Sequence, residues 1–397
     1  MKTNLNKKIA YIGCLGVVGI ISTEFGVIGI LPQIAEYYAI DIATAGYLLS
    51  AFALFIALTG PFTVLLASRF DKKLIMLGAM GLFFISNFFS IFSPPFWILM
   101  LLRILPTLLH PAFFAMAIAA AVKGTSQKEQ MHLTAIIIGG IALAQVTLIP
   151  ISTFLASIYS WQVTYGIQGS IVLLTIFIIL KFVPSLPNEQ PASFKSQLSI
   201  LTRPRFISGT LLNLLLITAW FCSYSYFADY LGKEKFMSEK EISILLLLFG
   251  AMGVLSNYLA GKLLGKNMFW TTLVFIAGIF VVPILFKYTD TSFLSVALVT
   301  GIWGIMYGPC FLIGVGYMIS AAPDAKEFAN SLQTSFGNLG VSLGTSVGGF
   351  FISKAGISIT PRVGIVFGIM AILVIIWRSY LDKHHREKST GNLDTMS

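Results

Sequence analysis

The sequence predicts an all-α polytopic membrane protein with 12 transmembrane helices in two six-helix bundles and both termini in the cytoplasm. Three observations support this prediction. The 397 residues are 56% hydrophobic and only 11% charged, whereas about a quarter of an average soluble chain is charged. Apolar runs of about 20 residues, the length that crosses a bilayer, recur along the whole chain. The basic residues are also distributed unevenly between the connecting segments.

Twelve apolar runs are predicted to span the membrane. They cover residues 9–31, 44–67, 74–93, 97–122, 133–157, 163–183, 206–231, 241–261, 268–286, 292–320, 328–352 and 361–381. With this count, 19 of the 26 Lys and Arg residues fall on the side of the termini, six fall on the other side, and Arg103 lies inside a span. The positive-inside rule therefore places the termini in the cytoplasm. The net charge of +10 reflects this topology, and no nucleic-acid partner is predicted.

The longest polar break defines the predicted domains. Residues 184–205 contain four prolines and scattered charges and are predicted to form a cytoplasmic linker. The linker separates an N-terminal bundle (1–183) from a C-terminal bundle (206–381), and residues 382–397 are expected to form a disordered polar tail. Equal halves are typical of transporters built from repeats. The expected partners are the lipid bilayer, protons and a small-molecule substrate, and a monomer is predicted.

The sequence offers no pattern for an enzyme, a metal site or a soluble sensor domain. Cys14, Cys222 and Cys310 lie in separate apolar runs and form neither a ligand pattern nor a disulfide framework. No nucleophile–base pair is recognisable. The first apolar run is too long for a signal peptide and lacks a small-residue cleavage site, so it is expected to remain as the first span.

The fourth run contains the most unusual residues of the chain, Arg103 and His110. A charge in hydrocarbon costs about 2.5–3.5 kcal/mol on insertion scales, so buried charges usually have a function. The two residues are seven positions apart and share one helix face. Glu24 lies about 22 Å into the first span, and Arg103 lies about 9 Å from the outer end of its own span, at a similar depth. We predict that Glu24 and Arg103 pair or share a hydrated cavity; the alternative is an ion pair that only holds two helices together.

Further polar residues are candidates for a substrate site. Gln145 lies in the fifth span, where an interhelical hydrogen bond is an equally good interpretation. Asn213, Trp220 and Tyr224 share one face of the seventh span and either line a cavity or pack against a neighbouring helix. Tyr307 and Tyr317 of the tenth span have the same two interpretations, of which packing is favoured. In the eleventh span, a face of four glycines predicts close helix packing: Gly337, Gly340, Gly344 and Gly348.

Four stretches resemble the major facilitator superfamily. They are Thr23-Glu24-Phe25 with the segment 29–35, the loop 68–73, the segment 103–113, and Ser160-Trp161 with the glycine-rich eleventh span. Within the superfamily they resemble the drug:proton antiporter family, and most of all the branch of arabinose/sugar and nucleobase efflux permeases. The resemblance covers about 380 residues. It implies a proton-coupled exporter in which Glu24 and Arg103 couple protons and His110 belongs to the substrate site.

The resemblance also implies gating roles, although the chain departs from the family pattern. The loop residues with this implied role are Arg69, Asp71, Lys72 and Lys73, together with Pro150 in the fifth span. The family usually has an aspartate at position 68 and a glycine at position 71, and this chain has Ser68 and Asp71. Pro111 replaces the usual glycine after the histidine, and with Pro106 it is expected to kink the fourth helix.

The predicted function is efflux of a small molecule across the cytoplasmic membrane of a bacterium in exchange for protons, by alternating access. No cofactor is expected, because the proton gradient supplies the energy. The buried Arg103, His110, Gln145 and Asn213 favour a polar or zwitterionic substrate such as a sugar, a nucleobase or an amino-acid-derived metallophore. The alternatives are a multidrug pump for lipophilic compounds and an uncoupled uptake facilitator.

Overall fold

The computed structural model describes residues 2–187, 195–323 and 325–394, and every regular element within these ranges is helical. The helices of the first half are α1 (Lys2–Phe25), α2 (Val27–Tyr37), α3 (Ile42–Ala45), α4 (Tyr47–Ala67), α5 (Lys72–Ser90), α6 (Phe96–Ile104), α7 (His110–Val122), α8 (Gln127–Leu143), α9 (Ile149–Ile158) and α10 (Gln162–Phe182). Those of the second half are α11 (Pro204–Tyr224), α12 (Phe227–Glu234), α13 (Glu239–Lys266), α14 (Met268–Tyr288), α15 (Phe293–Tyr307), α16 (Cys310–Ala321), α17 (Lys326–Ala355), α18 (Thr360–Val363) and α19 (Ile365–Asp394).

In the part of the chain that the structure describes, eleven helices or runs of consecutive helices are long and apolar enough to cross a membrane. They run from Leu5–Tyr37, which joins α1 and α2, to Ile357–His384, which contains most of α19. The helix α17 is a further element of 30 residues, rich in Gly, Ser, Thr and Asn. Large hydrophobic side chains such as Phe62, Leu294 and Leu373 point outward from these helices. An outward apolar surface is expected of a protein whose solvent is lipid.

Contacts between helix ends define two faces of the molecule. Asn6 near the start of α1 donates to the backbone carbonyl of Lys123, which follows α7. Arg205 near the start of α11 pairs with Asp382 in the C-terminal part of α19. We call the face where α1 and α11 begin the terminal face. The opposite face carries the ends of α2 and α9 and the start of α13.

Among the described residues, four of the long helices are broken near their middle by a turn or a 3-10 segment. The breaks separate α1 from α2 at Gly26, α6 from α7 by a 3-10 turn at Leu105–Leu108, α11 from α12 at residues 225–226, and α15 from α16 at residues 308–309. The kink predicted from Pro106 and Pro111 is confirmed. Each broken helix is the first of a group of three along the chain. A break in a membrane-spanning helix leaves backbone groups that other residues must satisfy.

The two halves are closed against each other towards the opposite face. α2 packs against α12, α9 packs against α13, and α4 runs along α17. A methyl group added at Gly46, just before α4, would clash with the Tyr226 hydroxyl of the second half. Further along the pair of α4 and α17, a methyl group at Gly60 would lie 3.2 Å from the Ser335 hydroxyl oxygen.

The glycine face predicted in the eleventh span is confirmed. A methyl group added at Gly344 would lie 2.7 Å from the Thr218 carbonyl oxygen of α11, and one at Gly340 would lie 2.9 Å from Cβ of Ile217. The absence of side chains on this face of α17 therefore lets the two helix backbones approach. Such close contact is the usual reason for small residues between membrane helices.

The C-terminal tail differs from expectation, and the predicted linker lies partly outside the described residues. The tail was expected to be disordered, but α19 continues to Asp394. Its Lys, Arg and Glu residues are good helix formers and no proline interrupts the run. The predicted linker (184–205) includes residues 188–194, which lie outside the described residues. Its remaining part contains a 3-10 helix at Lys195–Thr202 and the beginning of α11 at Pro204.

Candidate functional site

A buried carboxylate and a buried imidazole meet at the break in the first long helix. Glu24 lies in the last turn of α1, and His110 is the first residue of α7. Glu24 Oε2 and His110 Nε2 are 3.1 Å apart, and the two residues are 2% and 3% exposed. Three aromatic rings pack around the imidazole: Phe52, Phe83 and Phe114. In such apolar surroundings an electrostatic contact is stronger than it is in water.

Arg103 contacts the backbone beside this pair and not the carboxylate of Glu24. Its Nη2 donates to the carbonyl oxygens of Thr23 at 3.1 Å and Glu24 at 3.2 Å, and its Nε donates to that of Leu48 at 3.0 Å. The expected pairing of the Arg103 and Glu24 side chains is therefore absent from this structure. Because α1 ends at Phe25, its last carbonyls lack intrahelical partners. A cation is favourable at this negative end of the helix dipole.

Other polar side chains complete the layer around the break. Gln168 of α10 donates to the Ser22 carbonyl at 2.8 Å, and Asn87 of α5 donates to the Thr23 hydroxyl at 3.0 Å. Three buried polar atoms of this layer have no hydrogen-bond partner among the described residues: His110 Nδ1, Gln168 Oε1 and Asn87 Oδ1. Buried polar groups are normally paired. The layer therefore keeps hydrogen-bonding capacity that helix packing alone does not need.

The second half contributes a cluster of aromatic rings, the aromatic cluster, which consists of Phe221, Tyr224, Phe249 and Tyr307. Tyr224 stacks on Phe249 with ring centroids 4.7 Å apart and lies 5.0 Å from Tyr307. Trp220 packs edge-on against Tyr307 at 6.1 Å. Two of the residues predicted on the face of the seventh span, Trp220 and Tyr224, are thus brought together at this cluster.

The aromatic cluster and the Glu24–His110 pair face each other across the contact between the halves. Phe25, the neighbour of Glu24, lies 5.8 Å from Phe221 between ring centroids. Packing was the favoured interpretation of Tyr307 from the sequence, and its ring does pack against Tyr224 and Phe249 in this cluster.

Two other predicted substrate residues lie in helix contacts. Asn213 is fully buried, accepts a hydrogen bond from Gln333 Nε2 at 3.3 Å and donates to the Gln333 carbonyl at 3.4 Å. These bonds join α11 to α17. Gln145 is half-buried in a π-helical turn at Ala144–Leu148, and its backbone carbonyl faces Gly250 of α13. Pro150 follows this turn in the first turn of α9, and its missing N–H group accounts for the irregular backbone.

The predicted gating loop lies between α4 and α5 on the terminal face and contains Arg69, Asp71, Lys72 and Lys73. Asp71 caps α5 by accepting from the backbone N–H groups of Lys73 and Leu74, and it also accepts from the Ser185 hydroxyl at 2.7 Å. Burial raises the pKa of Asp71, but the hydrogen bonds from Ser185 and these backbone groups lower it below its ordinary value overall. Lys73 Nζ donates to the Leu180 carbonyl at 2.9 Å. These bonds tie the loop to the end of the first half, and its gating role stays a prediction.

No group of three or more His, Cys, Asp or Glu side chains that could hold a metal ion occurs in the part of the chain that the structure describes. The side chains of Glu24 and His110 can exchange a proton with each other and form hydrogen bonds.

Comparison with known proteins agrees with this architecture. The model of the Major Facilitator Superfamily matches residues 13–326 and 225–394. Two relatives, both called "Probable sugar efflux transporter", come from Helicobacter pylori strain J99 and Helicobacter acinonychis. Each is 24% identical to this chain, and each alignment covers 91% of both proteins.

Solved structures share the fold at low identity. A mutant of the nucleoside transporter NupG has a TM-score of 0.75 and 12% identity, covering 95% of this chain and 99% of that one. A bacterial homologue of the human lysosomal transporter Spinster, in an inward-facing and occupied conformation, also has a TM-score of 0.75, with 16% identity and coverages of 94% and 96%. From the family match over nearly its whole length, this chain is a multi-pass membrane transporter and not an enzyme, and it belongs to the major facilitator superfamily.

Proposed function

We propose that the protein exports a polar small molecule, with a sugar as the first candidate, across the bacterial cytoplasmic membrane in exchange for protons. In this proposal α17 is the eleventh of 12 spans, the halves 1–183 and 206–381 are two six-helix bundles, and the terminal face is cytoplasmic. The excess of Lys and Arg on the terminal face supports this orientation. Closure of the two halves towards the opposite face then corresponds to an inward-facing state.

The buried Glu24–His110 pair is the observation that carries the proposal. The two groups are 3.1 Å apart, so a proton can be shared or passed between Oε2 and Nε2. Both are almost fully buried, and an uncompensated charge there is costly. Arg103, fixed on the end of α1, keeps a positive charge next to the pair whichever group holds the proton. Protonation of Glu24 therefore changes the balance of charge at the break between α1 and α2.

The position of Glu24 offers a route from proton binding to conformational change. Glu24 lies two residues before Gly26, where the helix axis is interrupted, and α2 on the other side of the break packs against α12. A change at Glu24 can therefore alter the angle between α1 and α2 and loosen the contact that closes the opposite face. Phe25 and Phe221 provide a second contact between the halves at the same depth. Substrate and proton would then bind alternately at this contact.

The substrate class is supported by the chemistry that faces the pair. Aromatic faces of Tyr224 and Tyr307 offer flat apolar surface, while the side chains of Glu24 and His110 offer hydrogen bonds. Mostly apolar surfaces with a few placed polar groups are typical of small-molecule sites. A sugar fits both features, and the names of the relatives from Helicobacter favour it over a nucleobase or a metallophore.

Transport by the purified protein in proteoliposomes tests the proposal. We expect a pH gradient to drive uptake of a labelled sugar into wild-type vesicles, and an ionophore that collapses the gradient to abolish accumulation. Glu24→Gln should lose gradient-driven accumulation by at least about tenfold, because the amide cannot exchange a proton at this pH. Glu36→Gln is the matched control, since Glu36 is an exposed carboxylate of the same long helix and should leave transport unchanged.

Other outcomes would support other functions. Equal accumulation by Glu24→Gln and wild type would rule out Glu24 as the coupling group. Transport of the sugar that is insensitive to the ionophore would identify an uncoupled facilitator. Competition by lipophilic compounds but by none of the sugars would favour a multidrug pump, for which the ring surfaces of the aromatic cluster are also suited.

A further inference from the structure

A cavity of about 670 Å³ lies in the second half, on the terminal face and away from the Glu24–His110 pair. Its walls are the end of α13, the start of α14, the end of α16 and the C-terminal part of α19. The side chains that matter for its chemistry are Lys266, Asn267, Trp270, Arg378, Asp382 and Lys383. Nothing in the transport mechanism described above uses this cavity.

The electrostatic character of the cavity is basic. Asp382 is neutralised by Arg378 at 3.0 Å and by Arg205 at 2.7 Å. Arg378 is 1% exposed and also donates to the Tyr317 and Arg205 carbonyls, so it holds the wall in place. The two arginines together exceed the charge of Asp382 by one, and the two exposed lysines of the cavity, Lys266 and Lys383, add to this excess.

Those two charges have no ion-pair partner among the described residues. Lys266 ends α13 and Lys383 lies on α19, so the lysines approach the cavity from two different helices. The cavity also includes the N-terminal turn of α14, a helix of 21 residues whose positive dipole end adds to the same potential. The site therefore favours an anion.

The corresponding place in the first half is filled by the chain itself. There Asp71 caps α5, binds the Ser185 hydroxyl, and lies next to Leu186, whose carbonyl accepts from the Lys72 N–H at 3.2 Å. In the second half the cap of α14 is Asn267, whose side chain accepts from the Trp270 N–H at 3.1 Å. An uncharged amide thus stands where the first half has a carboxylate, which removes the repulsion that an anion would meet.

The surroundings of the cavity indicate that the anion belongs to a lipid. Trp270 at its edge is 64% exposed, as is typical of an aromatic residue at the headgroup level of a membrane. Below it, α14 and α19 pack together and expose apolar side chains to the bilayer, among them Val274 and Leu373. A headgroup in the cavity would therefore lie directly above a surface suited to acyl chains, which free phosphate would not use.

We infer that this cavity binds the phosphate-bearing headgroup of an anionic phospholipid from the leaflet at the terminal face. Lys266 and Lys383 are its charged contacts, the start of α14 adds backbone donors, and the acyl chains lie along α14 and α19. Basic pockets between membrane helices are suited to such headgroups. The lipid would join the α13–α14 connection to α19 in the way that Ser185 and Leu186 join α5 to α10 in the first half.

Native mass spectrometry of the full chain with phosphatidylglycerol and phosphatidylcholine tests this inference. The wild type should retain phosphatidylglycerol in preference to phosphatidylcholine. Each lysine near the headgroup contributes about fivefold in affinity, so Lys266→Gln with Lys383→Gln should weaken retention of phosphatidylglycerol by about 25-fold. Asn267→Asp keeps the helix cap but restores the carboxylate of the first half, and it should weaken retention about fivefold.

The control variant removes two charges elsewhere. Lys262 lies on the same helix as Lys266 but sits over the Tyr258 ring at 4.2 Å, and Lys354 is exposed at the end of α17. Lys262→Gln with Lys354→Gln should retain phosphatidylglycerol as the wild type does. Equal loss in this control, or no preference between the two lipids, would overturn the inference. Binding of inorganic phosphate that displaces the lipid at equal affinity would assign the cavity to free phosphate and would also contradict it.

Discussion

Arg103 shows how a membrane protein can use one buried charge to stabilise an interrupted helix. Its Nε and Nη2 groups satisfy carbonyl oxygens of Thr23, Glu24 and Leu48, on two different long helices. The sequence predicted that Arg103 and Glu24 lie at a similar depth, and they do meet. It did not predict which atoms meet, because residue counting gives a position along a helix and not the direction of a side chain. His110 takes the contact with the carboxylate that was expected of Arg103.

A substitution can separate the hydrogen bonds that Arg103 donates to backbone carbonyls from the effect of its positive charge. Lysine keeps the positive charge but lacks the planar group that reaches several carbonyls at once. Hydrogen bonds of charged groups contribute about 1.5–3 kcal/mol each, so Arg103→Lys should lower the free energy of unfolding by about 2 kcal/mol or more. Denaturant unfolding in detergent measures this, with Arg362→Lys at an exposed position as the control. Unchanged stability of Arg103→Lys would show that the charge alone matters.

At the scale of elements, the sequence predicted the packing face of a regular helix, but it predicted only some of the breaks within the long helices. The glycines of α17 repeat on one face, and this periodicity correctly predicted close packing on α11. The prolines at 106 and 111 correctly predicted the break in the fourth long helix. The break at Gly26 has no proline beside it. Its free backbone carbonyls are satisfied by Gln168 of α10 and Arg103 of α6, which are distant from Gly26 in the sequence. Such a break follows from tertiary contacts, which a local pattern does not contain.

The helix contact between α17 and α11 provides a test at this scale. Gly344→Ala adds a methyl group 2.7 Å from the Thr218 carbonyl oxygen, so the helices must separate. Overpacking of this kind costs about 1–3 kcal/mol. Gly81→Ala is the matched control, because a methyl group there meets no atom within 4 Å. We expect thermal unfolding in detergent to show a lower midpoint for Gly344→Ala and no decrease for Gly81→Ala; equal midpoints would contradict the close packing.

At the scale of the whole molecule, composition and apolar run length correctly predicted a helical multi-pass membrane protein, and the resemblance to the major facilitator superfamily correctly predicted a transporter. Composition and run length could not indicate how the two halves meet. In the structure one face is closed by contacts of α2 with α12 and of α9 with α13, and Glu24 and His110 lie deeper between the halves. This arrangement depends on how the halves meet, and each half buries its side of the contact with ordinary apolar residues. The tail was predicted incorrectly because polar composition was taken to mean disorder, although its residues also favour a helix.

The central claim is that substrate and proton compete through Glu24, and proton release on substrate binding tests it most directly. Substrate is added to purified protein in weakly buffered detergent solution, and the pH is followed with an indicator dye. We predict that the wild type and Glu36→Gln release a proton for each substrate bound, because binding beside the Glu24–His110 pair favours the ionised carboxylate. Glu24→Gln should bind substrate and release none. Proton release by Glu24→Gln equal to that of the wild type would contradict the account.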